Sequence, residues 1–306
     1  MSSYSAFGPG KVILLGEHSV VYGHTALAAP LSWGVTARAT SASRSQLALP
    51  AIVKGKGRAL LQNAFERAAS LAGKPKVRVT LESDLPVSMG LGSSGAVAVA
   101  CARVLLQAAG QRATPKDVLR VALEMERQFH GTPSGVDHTC SALGQCIAYR
   151  RVSPSAPPKV KVLESPKPVK LLVAIAGNRG PTGETVGQLR ERQALWPKRY
   201  ARLFREMGKL AEDGARSLKA GDLRGLGDAM NANHGLLSAV GVSSLALDTM
   251  VHRLRGFGAW GAKLTGAGGS GGAVIALFPE PEPVVARLLK EGVTCFASQV
   301  AGPRAL

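Results

Sequence analysis

Residues 86–100 read Pro86-Val-Ser-Met-Gly-Leu-Gly-Ser-Ser-Gly-Ala-Val-Ala-Val-Ala100, and within them Gly90 to Gly95 spells G-x-G-x-x-G. Several phosphate-binding architectures share that spacing, so its neighbours decide the fold. A second stretch, Gly266 to Gly271, repeats it. Upstream of the first, Lys76-Val-Arg-Val-Thr-Leu81 alternates and predicts a strand with Val77, Val79 and Leu81 on one face. Downstream, small and aliphatic residues run from Ser93 to Ala109, with serines at the start and Gly110 after the end; a largely buried helix is expected. A second helix follows directly, opened by Thr114-Pro115, with Val118, Val121, Ala122, Met125 and Phe129 on one stripe, and closing near His130-Gly131. A dinucleotide fold needs a strand there instead, bringing an acid to the ribose about 20 residues after the glycines. Asp117 lies near that distance but in a helix's first turn, where an acid serves the dipole. The Rossmann reading fails. A Walker A loop fails too, because G-x-x-x-x-G-K-[ST] is absent and Lys11 is followed by Val12.

Two readings of Gly90–Gly95 stay open on these grounds. A glycine-rich turn entering a helix exposes backbone N–H groups and the positive end of the helix dipole, where phosphate binds, and a serine hydroxyl in that turn can ligate the Mg²⁺ that accompanies a nucleotide. The same glycines also suit a tightly packed helix entry.

Composition narrows the partners. With 306 residues, 45% of them hydrophobic, the chain can bury one large or two moderate cores. Its 38 Lys+Arg against 20 Asp+Glu give a formal charge of +18, which suits nucleic acid, an anionic membrane or a small acidic substrate. The basic residues are scattered, apart from a concentration at Arg190–Arg205 that also carries Leu, Trp, Tyr and Phe and predicts a helix with a buried side. No aromatic-basic RNA-binding signature and no zinc-finger spacing occurs, so a basic solvated surface that also attracts anions is the favoured reading. Cys101, Cys140, Cys146 and Cys295 are dispersed without C-x-x-C, as in reduced thiols of a cytoplasmic protein. Neither a secretory signal nor a membrane span is expected.

Further along, Lys11-Val-Ile-Leu-Leu15 and Thr25-Ala-Leu-Ala-Ala29 flank the polar turn GEHSVVYGH, five prolines between residues 154 and 168 suggest a connector, and Val169–Ile175 and Gly272–Phe278 read as buried strands. The mixed order of strands and helices argues for α+β, with a domain boundary near residue 167.

The chain resembles the GHMP kinases, a superfamily of small-molecule kinases. Three segments carry the resemblance in the family's order: GPGKVILLGEHSVVYGHTALA (8–28), PVSMGLGSSGAVAVA (86–100) and KLTGAGGSGGAVIAL (263–277). HGTPSGVDHTCSALG (130–144) and NHGLLSAVGVSS (233–244) are similar to the mevalonate-phosphorylating branch in particular. The departures are small: Ser88 stands where the family usually has glycine, Gly95 where it has alanine, and Gly8-Pro-Gly where Ala-Pro-Gly is usual.

The resemblance implies a two-domain α+β fold: an N-terminal domain like domain 2 of ribosomal protein S5 over residues 1–167, and a ferredoxin-like C-terminal domain over 168–306, with ATP and the acceptor in the cleft between them. It implies Asp137 as catalytic base and Lys11 as its cationic partner. ATP phosphates fall to Gly90, Leu91, Gly92, Ser93, Ser94, Gly95 and Ala96, and Mg²⁺ to Ser94 and Glu126. Glu17, His18, Thr182, Gly266 and Ala267 are implied to bind the acceptor. The implied reaction is phosphorylation of the 5-hydroxyl of mevalonate by ATP, with homoserine or phosphomevalonate as alternative acceptors. A cytoplasmic location follows, and a homodimer is compatible with it.

Overall fold

In chain order the computed structural model forms β1 (Ser3–Leu15), a single 3-10 turn (Ser19–Tyr22), β2 (Ala26–Ser41), β3 (Gln46–Ala48), α1 (Gly55–Leu71), β4 (Val77–Ser83), α2 (Ser93–Ala108), α3 (Pro115–His130), α4 (Val136–Leu143), β5 (Ile147–Arg150), β6 (Lys159–Val162) and β7 (Val169–Ala176). Then come α5 (Thr182–Leu195), α6 (Pro197–Ala220), α7 (Leu223–Ala239), α8 (Leu245–Gly256), β8 (Gly261–Thr265), β9 (Gly272–Phe278), α9 (Glu282–Lys290) and β10 (Cys295–Ala301). It describes residues 3–49, 55–86, 89–131, 133–153, 156–178 and 182–301. Ser88 lies outside them. Two compact units interleave along the chain: Met1–Lys11, Trp33–Pro86 and Gly92–Gly144 make the first, and Val12–Ser32, Val87–Leu91 and Gln145–Leu306 the second. Residue 167 falls between β6 and β7, inside the second unit.

In the first unit β4 runs antiparallel to the later half of β2, with Ala37 opposite Leu81 and Ala39 opposite Val79, and β3 joins β4 in parallel. Alternate residues Val35, Ala37, Ala39, Val77 and Val79 are buried, as their period of two requires. Four helices complete the unit, and α2 packs on all three of the others. Its residues are mostly small or aliphatic, Arg103 and Gln107 apart, and Val99, Val104, Leu105 and Leu106 are fully buried, each larger side chain stabilising by about 1.5–3 kcal/mol. The chain passes from α2 to α3 without an intervening strand, as the failed Rossmann reading demanded. Thr114 caps α3, its hydroxyl accepting from Asp117 N–H at 3.3 Å, and Val118, Val121, Ala122 and Met125 form the buried stripe. Glu126 is buried on the same side.

The second unit holds an antiparallel four-stranded sheet in the order β10-β7-β9-β8. Central strands β7 and β9 are apolar almost throughout, and α7, α8 and α9 pack on the sheet's strands. The core gathers Leu172, Phe204, Met207, Leu237, Leu254 and Val274 with their neighbours, and Tyr22 stacks on Phe204 at 4.3 Å between ring centroids. The first residues of β2 pair with β5, and β5 with β6.

Two local expectations change. The proline-rich connector contains β6, a strand whose four residues are all exposed, held by its backbone ladder to β5 and not by burial. The predicted helix over Arg190–Arg205 is two helices, broken at Trp196-Pro197. Proline lacks the N–H that would continue α5, and disfavours helical backbone at the residue before it; Trp196 adopts φ −132°, ψ 58°.

Candidate active site

The first unit holds eight of the expected residues: Lys11, Gly92, Ser93, Ser94, Gly95, Ala96, Glu126 and Asp137. Lys11, near the middle of β1, points its ammonium at Asp137 in the first turn of α4, with Nζ–Oδ1 3.1 Å. The lysine side chain is 4% exposed and the aspartate 31%, so the cation is the buried partner and the carboxylate the accessible one. Gly92, the cap of α2 at φ 73°, lies against Lys11: a Cβ there would sit 2.7 Å from Lys11 Cγ. Gly95, one turn on, backs onto Asp137, and a Cβ would meet the Asp137 carbonyl carbon and His138 N at 3.1 Å. The small residues thus let the N-terminus of α2 approach both halves of the ion pair. Of the two readings left open by the sequence, the tightly packed helix entry is the one seen in these contacts.

Ser93 and Ser94 open α2, and the Ser94 hydroxyl lies 3.1 Å from His130 Nε2 at the end of α3. Glu126 is 2% exposed. Burial, then the nearby Asp137 charge, push its carboxyl up to about 7, opposed by a hydrogen bond from Ser94 and by Lys11. Its buried Oε1 has no hydrogen-bond partner. An unpartnered carboxylate oxygen beside a hydroxyl and a second carboxylate is a hard, oxygen-only donor set of the kind Mg²⁺ takes alongside phosphate and water.

The second unit holds the remaining candidates. Glu17 is 1% exposed, and one carboxylate oxygen is paired with the Lys263 ammonium from β8 while the other accepts from Asn233 Nδ2 at 3.1 Å. Burial pushes this carboxyl above its ordinary range, against the opposing pull of Lys263. Lys263 also donates to Leu264 O at 2.7 Å and Ile13 O at 3.4 Å. His18 adopts φ 59°, ψ −47°, a region costly for a residue with a side chain, on the order of 1–3 kcal/mol. Its Nε2 lies 3.1 Å from the Ala267 carbonyl, which can only accept; the ring proton is therefore on Nε2, and Nδ1 is the ring's acceptor. Burial holds the imidazole down to about 4, so it is neutral at pH 7.

Gly266 approaches Gly90 closely, its Cβ position 3.2 Å from Gly90 Cα, and Gly269 N–H donates to Val242 O at 2.9 Å. The 241–244 segment therefore braces the third glycine-rich loop. Gly90 and Leu91 group with this unit, and Gly92 to Ala96 with the first. Thr182 begins α5, and its side chain lies outside the described residues.

Sequence reading did not single out Lys263, Asn233, His234 or His130. His234 accepts from Leu264 N–H at Nδ1 (3.4 Å) and meets Asp248 Oδ1 at 3.0 Å. The available signal was Lys263 alone, a charge inside an otherwise apolar, buried strand, where a polar group must find a partner.

A base-and-cation pair at the mouth of a glycine-capped helix, in an α+β chain, has the parts of a phosphoryl-transfer enzyme. Two family models match: the GHMP kinase N-terminal domain over residues 58–145 and the GHMP kinase C-terminal domain over 215–293. The mevalonate kinase of Thermococcus sibiricus is 33% identical, covering 93% of this chain and 92% of its own, and that of Aeropyrum pernix is 35% identical, covering 90% and 89%. Among solved structures, L. major mevalonate kinase in complex with R-mevalonate superposes with a TM-score of 0.82 at 27% identity, covering 99% of this chain and 98% of its own. The chain belongs to the mevalonate kinase family of the GHMP kinases. No helix among the described residues is long and apolar enough to cross a membrane.

Proposed function

We propose that Asp137 and Lys11 carry the ATP-dependent phosphorylation of mevalonate at its 5-hydroxyl, the activity of the family. The observation that carries this assignment is the 3.1 Å pair of a buried ammonium and an accessible carboxylate beside the entry of α2. As the acceptor hydroxyl attacks the γ-phosphorus, its O–H bond breaks and the proton passes to Asp137. The new P–O bond forms while the bond to the β-phosphate oxygen breaks, and ADP leaves. Lys11 offsets negative charge as the phosphoryl group moves.

Gly90 to Ala96 cradle the ATP phosphates, through backbone N–H groups and the dipole of α2. Ser94 and Glu126 are the residues that would hold Mg²⁺, which when bound neutralises charge on the β- and γ-phosphates. Neutral His18 offers Nδ1 as acceptor to a hydroxyl of mevalonate, with Gly266 and Ala267 shaping that side and Thr182 contributing from α5. Glu17, with both oxygens engaged inside the protein, serves the acceptor by supporting His18. A cytoplasmic location agrees with all four cysteines being free and buried.

An acceptor screen with γ-labelled ATP tests the reading. Label should pass to mevalonate; label passing to homoserine or phosphomevalonate, and not to mevalonate, reverses the choice of acceptor.

A further inference from the structure

We propose that Lys263 is a positioning residue for the acceptor site: its buried ammonium holds Glu17, and through Glu17 the left-handed backbone of His18, in register with the third glycine-rich loop. The inference rests on His18 and Gly266–Ala267 contacting the acceptor, as argued above.

Lys263 occupies a strand in which all five residues are buried, and it is itself 0% exposed. An ammonium so placed must be satisfied by the protein. Its partners include the Glu17 carboxylate in the turn, Ile13 O in β1, and Leu264 O in β8 itself. Helix α7 closes the arrangement with two consecutive side chains. Asn233 takes the second Glu17 oxygen, and His234 accepts from Leu264 N–H while meeting Asp248, which in turn accepts from Ser243 at 2.5 Å.

All of this converges next to His18, whose backbone lies where an L residue persists only if its surroundings over-determine it. The imidazole then reaches the Ala267 carbonyl, four residues beyond Lys263. One buried cation therefore ties together the start of the chain's first motif and the start of its third. If stability alone were at stake, an uncharged pair of similar volume would serve as well.

The test separates holding from stabilising. Lys263→Met leaves Glu17 buried without its cation, and a lower melting temperature is expected. Lys263→Met/Glu17→Gln removes both charges and should recover most of that melting temperature while the acceptor site stays misaligned. For the folded double variant we expect a KM for mevalonate raised by about ten-fold or more, with KM for ATP within about two-fold of the parent. A changed His18 ring signal in ¹⁵N–¹H spectra should accompany it.

A folded double variant whose KM for mevalonate stays within about two-fold of the parent overturns the proposal. Should the double variant not fold, Asn233→Ala, which spares the ion pair and removes one bond to Glu17, is read by the same split between the two KM values. If the parent enzyme itself does not phosphorylate mevalonate, the functional reading fails instead, and the two failures are told apart by that first assay.

Discussion

Between Lys11 and Asp137 the difference in exposure supports the proposed division of roles. A proton leaving a substrate hydroxyl needs a group the substrate can touch, and the aspartate is the accessible member. Asp137→Asn keeps the shape and loses the basicity. Turnover should fall by about 10²- to 10⁴-fold, while calorimetry still detects ATP binding; retained turnover would remove Asp137 from the mechanism. At this scale the proposed catalytic pair could be picked out only through resemblance to a family, since a loop aspartate and a lysine beside an apolar strand are ordinarily unremarkable. What the letters could not display is why Gly92 and Gly95 flank that pair, because the contact joins residues that lie far apart in the chain. Glu17 is the sharper case. Its position in the first motif was plain, but its partner stands 246 residues away, and no periodicity connects them.

Elements were read more fully than contacts. Strand β4 and helices α2 and α3 fall close to the ranges their periodicity predicts, because burial of one face imposes the pattern. Short β6 escaped notice, having no buried face to impose one. The approach of α2 to α4 makes its own prediction. Alanine at position 95 gains helix propensity of up to about 1 kcal/mol, but its methyl would press on the backbone of Asp137 and His138 at 3.1 Å. Gly95→Ala should therefore leave thermal stability nearly unchanged and lower kcat by about three- to ten-fold, as α4 yields by a few tenths of an ångström. Unchanged kcat would mean that α4 moves without consequence for Asp137.

Helix α7 supplies a pH dependence. Burial, followed by the Lys263 charge, holds His234 down to about 4 against an ordinary value of 6.5. Between those values the unfolded chain binds a proton that the folded chain refuses, so stability falls as pH drops from about 6.5 towards 4. His18, held down to about 4 as well, adds to the same slope. Glu126 and Glu17, whose carboxyls are raised by burial, bind protons on folding and oppose that slope, so the histidine contribution is read as a difference between parent and variant. His234→Gln, whose amide can serve both neighbours, should lose less melting temperature than the parent as pH drops from 6.5 towards 4, and an identical profile would remove His234 from the pH dependence.

Over the whole molecule, a formal charge of +18 acts on both substrates before contact. ATP and the mevalonate carboxylate are anions, so the field raises their encounter rate, and salt removes that benefit: the Debye length falls from about 30 Å at 0.01 M to about 8 Å at 0.15 M. The kcat/KM should decline across that range. Melting temperature should move the other way, because screening also relieves the repulsion among like charges. A kcat/KM insensitive to salt would mean that the basic residues do not steer either substrate.

The long separation of Glu17 from Lys263 also has a meaning in time. Every residue of the first unit has been synthesised once the ribosome reaches Gly144, so the Lys11–Asp137 half can assemble on a nascent chain. Glu17, translated early, must wait for a partner 246 residues later, roughly 12–50 s at about 5–20 residues per second. During that interval its carboxylate stays hydrated and the turn around His18 has no cation to close on, so burial of Glu17 waits on the synthesis of β8.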